Sequence, residues 1–367
     1  MLSINGIKAM IPIIQGGMGV GISLSGLASS VAKAGAIGVI ATAGIGQFEA
    51  DLNTNYKEAN VRAMCKEIQA ARANSDGGII GVNIMIALSN YEELIQCAVD
   101  EKVDIIFLGA GLPLKLPNTL PLDALGSLHT KFVPIVSSGR AADLIFKSWV
   151  KHFNHVPDGV VVEGPMAGGH LGFKKEQIEA PDYALEKILP DVINAVKPYE
   201  QQFGRSIPVI AGGGIYTGED IYKFMQMGAS GVQMATRFVA TYECDASDTF
   251  KQTYIKCEKE DIMIIDSPVG LPGRAVRDAF LDRVTAGGKE KFQCPWKCLR
   301  TCDFKNVPYC IALALTNAKK GNMESGFAFA GANAYRVNKL VSVKELIDEL
   351  VEGYKLAASH NTAIANM

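Results

Sequence analysis

The stretch that decides the fold is "IPVIAGGGIYTGEDIYKFMQMGASGVQMATRF", residues 207–238. It begins with a short Val- and Ile-rich run that leads into three consecutive glycines. A helical pattern, "GEDIYKFMQMG" (218–228), follows, and then a second short run, "GVQMAT" (231–236). Short apolar runs bounded by glycine are typical of parallel strands that are buried on both faces. The stretch therefore predicts a strand–helix–strand unit of a parallel α/β protein.

The same unit recurs upstream. Helical segments with charged residues, such as 55–72, 90–99 and 141–153, separate six further short apolar runs. These runs cover 11–15, 38–42, 79–84, 103–109, 132–138 and 158–164. Eight strands that alternate with helices predict a (β/α)8 barrel, the TIM-barrel fold, and a doubly wound open sheet is the alternative. The number of repeats, and the glycine and polar residues that follow the strands, favour the barrel.

The alternating pattern stops after Thr236, and we predict three parts. Residues 1–240 form the barrel, 241–335 form an insertion or cap beside the barrel mouth, and 336–367 contain a C-terminal helix that packs on the barrel. The segment "SVKELIDELVEGYKLAA" (342–358) has the pattern of that helix. We expect Ser342 to cap its N-terminus, with Glu345 three residues later completing a capping box.

Composition and charge exclude several classes of protein. The chain has 367 residues, of which 48% are hydrophobic and 20% charged, and its formal net charge is −2. No basic cluster indicates a nucleic-acid partner, and no apolar run reaches the roughly 18 residues of a membrane span. The N-terminus lacks the basic and apolar regions of a signal peptide. We therefore expect a cytoplasmic protein, with a homodimer as its assembly and neither membrane nor nucleic acid as a partner.

Two glycine-rich strand ends predict a phosphate site. Gly212, Gly213 and Gly214 leave backbone N–H groups unshielded before a helix, and the segment "GVQMATRF" adds a second set of amides and the Thr236 hydroxyl. Phosphate sites in barrels are commonly built from the loops after strands seven and eight. The alternative is that these glycines only make tight turns.

A phosphate held there would place an attached ring system over the barrel mouth. Gly17 would let the backbone approach a flat ligand, Met18 would offer a backbone amide, and Asn83 would offer a side-chain amide. Together these features imply flavin mononucleotide (FMN), bound within residues 1–240. The further cofactor contacts that we predict are Ser137, Glu163, Gly169, Gln233 and Ala235. For Ser137 the alternative role is a helix cap, and for Glu163 it is a structural carboxylate.

Five segments in combination resemble a known family. They are "PIIQGGMG", "GVNIM", "EGPMAGGHLG", "VIAGGGI" and "GVQMATRF". They resemble the nitronate monooxygenase (2-nitropropane dioxygenase) family and the related flavin-dependent enoyl-acyl-carrier-protein reductases. The resemblance covers about residues 5–240, and "SPVGLPGRAVRD" (267–278) also fits.

The resemblance implies an FMN-containing barrel enzyme with His170 near the flavin. The imidazole would serve as a general base or a polar substrate contact, work that suits its near-neutral pKa. A loop histidine without a catalytic role is the alternative. Met166 stands where related sequences often carry a carboxylate. The exact substrate chemistry of the family therefore does not carry over directly to this chain.

The leading prediction of function is an FMN-dependent oxidoreductase that oxidises alkyl nitronates with O2. The first alternative is an enoyl thioester reductase, for which NAD(P)H is the electron donor and an acyl thioester the substrate. Two competing predictions are a flavin-binding module without turnover and a barrel enzyme that acts on sugar phosphates. The cofactor motifs do not separate the monooxygenase from the reductase, because both use the same flavin site.

Four of the eight cysteines crowd into "CPWKCLRTCDFKNVPYC", residues 294–310. They are Cys294, Cys298, Cys302 and Cys310, with the spacing C-x3-C-x3-C-x7-C. Four thiolates in so short a span could ligate a [4Fe–4S] cluster or zinc. The spacing matches neither the common ferredoxin patterns nor the C-x2-C zinc knuckle. Cysteines four apart also line one face of a helix as small apolar residues, so both interpretations stay open.

Overall fold

The structure is a computed structural model that describes residues 1–294 and 296–365. Pro295 in the cysteine segment, and Asn366 and Met367 at the end of the predicted C-terminal part, lie outside the described residues. A hairpin of strands β1 (Leu2–Ile4) and β2 (Ile7–Ala9) precedes the barrel. The eight barrel strands are β3 (Ile13–Gln15), β4 (Gly38–Ala41), β5 (Ile80–Met85), β6 (Ile105–Gly109), β7 (Lys131–Val136), β8 (Val160–Glu163), β10 (Val209–Gly212) and β11 (Gly231–Met234).

The eight strands confirm the predicted barrel. They pair in parallel in the order β3-β11-β10-β8-β7-β6-β5-β4. A parallel bridge between Ile14 and Ile37 joins the two ends of this order, so the alternative of a doubly wound open sheet is wrong. Leu2, Ile4 and Ala9 of the hairpin pack with the side chains that fill the barrel interior, including Phe107. The hairpin thus fills the end of the barrel opposite the strand ends that carry polar residues.

Helices surround the barrel and continue beyond it. The helices within the barrel repeats are α1 (Ser25–Lys33), α2 (Tyr56–Asn74), α3 (Tyr91–Asp100), α4 (Gly139–Phe153), α5 (Lys175–Ile178), α6 (Leu185–Phe203), α7 (Gly218–Gln226) and α8 (Thr236–Val239). The connection after β6 contains only a 3₁₀ helix, Leu122–Ser127. Among the described residues, none of the helices combines the length and the apolar character that crossing a bilayer demands.

Residues 241–335 hold elements outside the barrel repeat. They are α9 (Asp248–Ile255), β12 (Ile262–Asp266), β13 (Pro272–Val276), α10 (Ala279–Thr285) and α11 (Ile311–Lys319). β13 pairs antiparallel with β12 and with β9 (Gly169–His170), which belongs to the loop after β8. This second sheet ties the region to the predicted histidine loop. The boundaries at residues 240 and 335 stay predictions.

The C-terminal helix α12 spans Val343–Ala365 and is longer than the predicted segment. Its capping box is confirmed, because the Ser342 amide donates to Glu345 Oε2 at 2.7 Å and the Glu345 amide donates to Ser342 Oγ at 3.1 Å. A Cβ added to Gly218 would lie 2.2 Å from the backbone nitrogen of Tyr354. The start of α7 and the middle of α12 therefore pack with their backbones in close approach.

Candidate active site at the barrel mouth

A cavity of about 310 Å³ lies at the C-terminal ends of the barrel strands, closed on its outer side by residues of the 241–335 region. This volume is at the lower end of the usual range for ligand sites. Most of the predicted site residues line its wall. They are Gly17, Met18, Asn83, Glu163, Gly169, His170, Gly213, Gly214, Gln233, Ala235 and Thr236.

Two predicted cofactor contacts, Ser137 and Gly212, are not among the lining residues. Ser137 follows β7 and faces the histidine loop, where a Cβ added to Gly172 would lie 2.4 Å from Ser137 Oγ. Ser138 instead caps α4, since its side chain accepts a hydrogen bond from the Ala141 amide at 3.2 Å. Gly212 is the last residue of β10 and packs against the Gln233 side chain.

Glycine is required at three places around one end of the cavity. Gly213 and Gly214 have φ of +94° and +87°, and a Cβ on Gly213 would lie 2.8 Å from the Gly164 carbonyl oxygen. A Cβ on Gly331 would lie 2.6 Å from Thr236 Oγ1, which accepts a hydrogen bond from the Gly331 amide. Backbone therefore forms this part of the wall, and its amides can approach an anion closely.

Two arginine side chains stack on Tyr216, a residue of the cavity wall. The guanidinium groups of Arg237 and Arg336 lie over the ring of Tyr216, at 4.6 and 4.2 Å from its centroid. Tyr216 itself lines the cavity. The two arginines are not among the residues that line the cavity, and Arg237 Nη2 is paired with Glu349 Oε1 at 2.9 Å, so Tyr216 is the member of this group that faces the site. The sequence identified the glycines but not this pair of arginines, because their partnership joins residues far apart in the chain.

The opposite part of the wall comes from the first and third barrel strands. Gly17 lies so close to β5 that an added Cβ would be 2.4 Å from Asn83 Cβ.

Among the described residues, the side chains of Asn83, Glu163 and Gln233 form no hydrogen bond, although all three line the cavity. All three side chains are half-buried at the cavity wall, so their polar atoms are available to a bound ligand.

Burial raises the pKa of Glu163 to about 7. Loss of water around the carboxylate disfavours its charged form, and among the described residues no cationic side chain compensates. Near neutral pH the group can therefore either donate or accept a hydrogen bond. Met166, in the same loop, lines the cavity with a side chain that has no charge.

The loop after β8 holds His170 at the cavity. β9 pairs with β13 through Gly273 and Arg274, and His170 Nε2 lies 2.6 Å from Ser267 Oγ in a hydrogen bond. The Phe329 ring contacts the imidazole edge-on, with 5.0 Å between centroids. Burial lowers the pKa of His170 to about 4, so the imidazole is neutral near pH 7.

Arg274 fixes the loop from the other side. Its buried guanidinium donates hydrogen bonds to the carbonyl oxygens of Pro165 and Ala167. Burial lowers the pKa of Arg274 to about 10, and the group still carries its charge at neutral pH. A cation bound to backbone carbonyls holds the glycine-rich segment in one conformation, which suits a loop that positions a catalytic group.

The 241–335 region supplies wall residues that sequence reasoning did not assign. These include Phe250, Tyr254, Cys298, Ile311, Phe329 and Asn333. Ser267 opens the segment "SPVGLPGRAVRD", which fits the family resemblance, but neither periodicity nor spacing indicated its contact with His170. Such contacts join residues about a hundred positions apart and leave no local pattern.

The four clustered cysteines line a second, small cavity next to the main one. Among the described residues, no group of three or more His, Cys, Asp or Glu side chains is arranged to hold a metal ion. The structure therefore gives no support to a zinc site at these residues. Cys294, Cys298, Cys302 and Cys310 have free thiols.

Comparison with known proteins gives one family and several relatives. The nitronate monooxygenase family model matches residues 2–353. A Mycobacterium tuberculosis (strain ATCC 25618 / H37Rv) protein named (3aS,4S,5R,7aS)-5-hydroxy-7a-methyl-1-oxo-octahydro-1H-indene-4-carboxyl-CoA dehydrogenase is 24% identical over 371 residues, covering 93% of this chain and 92% of that protein. A probable nitronate monooxygenase of Staphylococcus aureus (strain JH9) is 24% identical over 306 residues, covering 75% and 77%. The solved structure of FabK from Thermotoga maritima matches with a TM-score of 0.74 and 25% identity over 96% of each chain.

Proposed function

The chain belongs to the nitronate monooxygenase family, and on that premise we propose that this FMN-dependent oxidoreductase oxidises alkyl nitronates with O2. One observation carries the proposal. A single cavity joins a glycine cradle, three polar side chains without protein partners, and a neutral histidine. A phosphorylated flat cofactor and a small substrate would use all three features.

The residues present fit FMN. The cradle of Gly213, Gly214 and Gly331 suits the phosphate end, since no side chain shields the backbone amides of Gly213 and Gly214 and the Thr236 hydroxyl lies beside Gly331. Asn83 and Gln233 carry unpartnered amides that suit the polar edge of the isoalloxazine ring. When bound, the flavin would supply the electron-transfer chemistry that no side chain offers.

His170 is neutral near pH 7 and is held by Ser267, so it can accept a proton, but its pKa of about 4 makes it a weaker base than the near-neutral imidazole that the sequence predicted. When its Nε2 carries the hydrogen and donates it to Ser267 Oγ, Nδ1 keeps a free lone pair. That atom can take the α-proton of a neutral nitroalkane and so form the nitronate within the site. Against a nitronate that is already ionised, the same ring serves as a polar contact only.

Glu163 would act on the cofactor side of the cavity. Below pH 7 its neutral carboxyl can donate a hydrogen bond to a carbonyl oxygen or ring nitrogen, and above pH 7 it presents a negative charge. The charge state of Glu163 would thus tune binding of the flavin ring near neutral pH. Related sequences often carry a carboxylate at the position of Met166. In this chain, Glu163 supplies a carboxyl group to the cavity wall instead.

A second candidate function is the reduction of an acyl thioester double bond with NAD(P)H as donor. The observation that favours it is the relative whose name specifies a carboxyl-CoA substrate and which matches 93% of this chain. The cavity also continues along apolar side chains that suit an acyl group, namely Leu88, Leu299, Ile311 and Leu315.

Anaerobic rapid mixing separates the two candidates. We expect an alkyl nitronate alone to bleach the flavin absorbance, and O2 to restore it. Rapid bleaching by NADH or NADPH, followed by reoxidation with an enoyl thioester, would overturn the nitronate proposal and support the reductase. A flavin that neither donor reduces would overturn both and leave a binding module without turnover.

A further inference from the structure

Four thiols surround one small cavity, although they are spread over 17 residues of chain. The cavity is lined by all four clustered cysteines, together with Phe292, Lys297, Leu299, Phe304 and Ile311. No hydrogen bond links any two of these cysteines in the part of the chain that the structure describes. By contrast, the thiols of Cys65 and Cys97 lie 2.7 Å apart. The four cysteines therefore line one cavity, and no hydrogen bond joins their thiols among the described residues.

The segment that carries them is fixed to the barrel. The Ser89 amide donates to the Cys298 carbonyl and the Arg300 amide donates to the Ala87 carbonyl, each at 3.0 Å. These bonds join the segment to the loop that follows β5. Its two ends meet where the Glu290 amide donates to the Pro308 carbonyl at 2.8 Å. The cysteines are thus held by backbone pairing rather than lying along one helix, the structural alternative that their spacing left open.

One of the four sulfurs also lies at a helix start. Cys310 directly precedes α11, whose first-turn backbone amides have no partner within the helix. Such amides are the kind of donor that can stabilise a thiolate ligand.

The arrangement suits a cluster better than a single ion. A zinc ion needs four sulfurs that meet at one point, and no such convergence exists among the described residues. A cubane cluster takes one thiolate at each of four separate corners, so its ligands surround a space. The neighbouring side chains are mostly apolar, with the Lys297 ammonium as a positive charge. We propose that Cys294, Cys298, Cys302 and Cys310 bind a [4Fe–4S] cluster.

The cluster would lie directly beside the main cavity. Cys298, Leu299 and Ile311 line both cavities, so one proposed ligand residue forms part of the wall between them. A one-electron carrier would then stand one side chain away from the proposed flavin site. Binding of the cluster does not depend on the proposed nitronate chemistry, and it can be measured whether or not flavin is present.

The test is iron and sulfide content. Full-length protein is purified anaerobically and incubated with ferrous iron and sulfide, and a parallel sample receives Zn²⁺ alone. We expect about four iron and four sulfide per chain, with a broad absorption beyond the flavin bands that acid abolishes. Protein that retains neither iron nor sulfide, or that retains only a single zinc, overturns the proposal whatever the variants show.

Two substitutions locate the site. Cys302→Ser should lose most of the iron and sulfide, while Cys257→Ser, at a free and buried cysteine outside the segment, should keep them. Far-ultraviolet circular dichroism and FMN binding report whether each variant is folded. If Cys302→Ser does not fold, Cys294→Ser takes its place. Folded variants at both positions that retain full iron and sulfide would place the cluster elsewhere and refute the assignment.

Discussion

Replacing His170 with alanine should slow the turnover of a neutral nitroalkane by about 10²- to 10⁴-fold, the usual contribution of a positioned general base. The β9–β13 pairing and the hydrogen bond to Ser267 orient the ring, so alanine removes this positioned base, while Glu163 stays at the wall of the same cavity. Turnover of a preformed nitronate should change by only about tenfold, the effect of a lost hydrogen-bonding contact, because that substrate has already released its α-proton.

The pH dependence follows from the lowered pKa of His170. At pH 5.5 a base with a pKa of about 4 is about 97% unprotonated, whereas an imidazole at 6.5 would be about 9% unprotonated. Because its pKa is lowered, the imidazole of His170 stays in its neutral, active form at more acidic pH. We expect the histidine limb of kcat/KM for the neutral nitroalkane to lie near the pKa of about 4, and a change near pH 7 that is absent from Glu163→Gln belongs to Glu163.

The assay is O2 consumption with a neutral nitroalkane and with its preformed nitronate, on enzyme of known FMN content. His152→Ala, at an exposed histidine on α4, is the matched control and should behave as the wild type. The reasoning is refuted if the turnover of FMN-loaded His170→Ala falls by no larger a factor with the nitroalkane than with the nitronate. It is refuted equally if the histidine limb of the wild type lies near the ordinary imidazole value of 6.5.

Three further substitutions test the cavity. In Gly17→Ala, the new Cβ would lie 2.4 Å from a β5 side-chain carbon. The clash must be relieved by a shift of Gly17 or Asn83, which both line the cavity, and the loss of about 1–3 kcal/mol of contact with FMN should raise its Kd in a fluorescence titration by about 5- to 150-fold. Gly126→Ala, where the nearest contact would be 3.5 Å, should leave that Kd unchanged. Ser267→Ala should lower kcat on the nitroalkane by about 2- to 10-fold through loss of one hydrogen bond to His170, and Ser267→Thr should restore it; equal rates in all three proteins would exclude the positioning role. Since the pKa of Glu163 is raised from 4.5 to about 7, the folded state retains a proton that the unfolded chain releases, and stability falls as pH rises through that interval. Between pH 4.5 and pH 8, the melting temperature of FMN-free Glu163→Gln should therefore fall less than that of the wild type. Parallel plots of melting temperature against pH would show that Glu163 ionises normally.

The barrel could be predicted because its signals are local. Each buried strand is a short Val- and Ile-rich run, and each strand end carries glycine or a polar residue, so eight repeats could be counted directly. The run at 11–15 was two residues too long, since β3 begins at Ile13. Ile11 and Pro12 extend the apolar pattern before the strand, and the Pro12 carbonyl still accepts a hydrogen bond from the Val232 amide at 2.9 Å. The glycines of 212–214 were found for the same reason, although Gly212 belongs to the strand rather than to the cavity wall.

The cap could not be derived in this way. β9 has only two residues, and its partner strand begins about a hundred positions later, so no periodicity marks either. Ser267, Phe329 and Arg274 act on the histidine loop through long-range contacts of this kind. Ser137 was assigned to the cofactor because it ends a barrel strand, yet adjacent strand residues face opposite sides, and its side chain packs on Gly172.

The most direct test of the central claim is a titration of flavin-free protein with FMN. The account predicts a single FMN per chain, quenched flavin fluorescence, and weaker binding in Gly17→Ala than in Gly126→Ala. Protein that is folded but takes up no FMN, or that binds it equally well in both variants, would contradict the assignment of the barrel mouth as the flavin site.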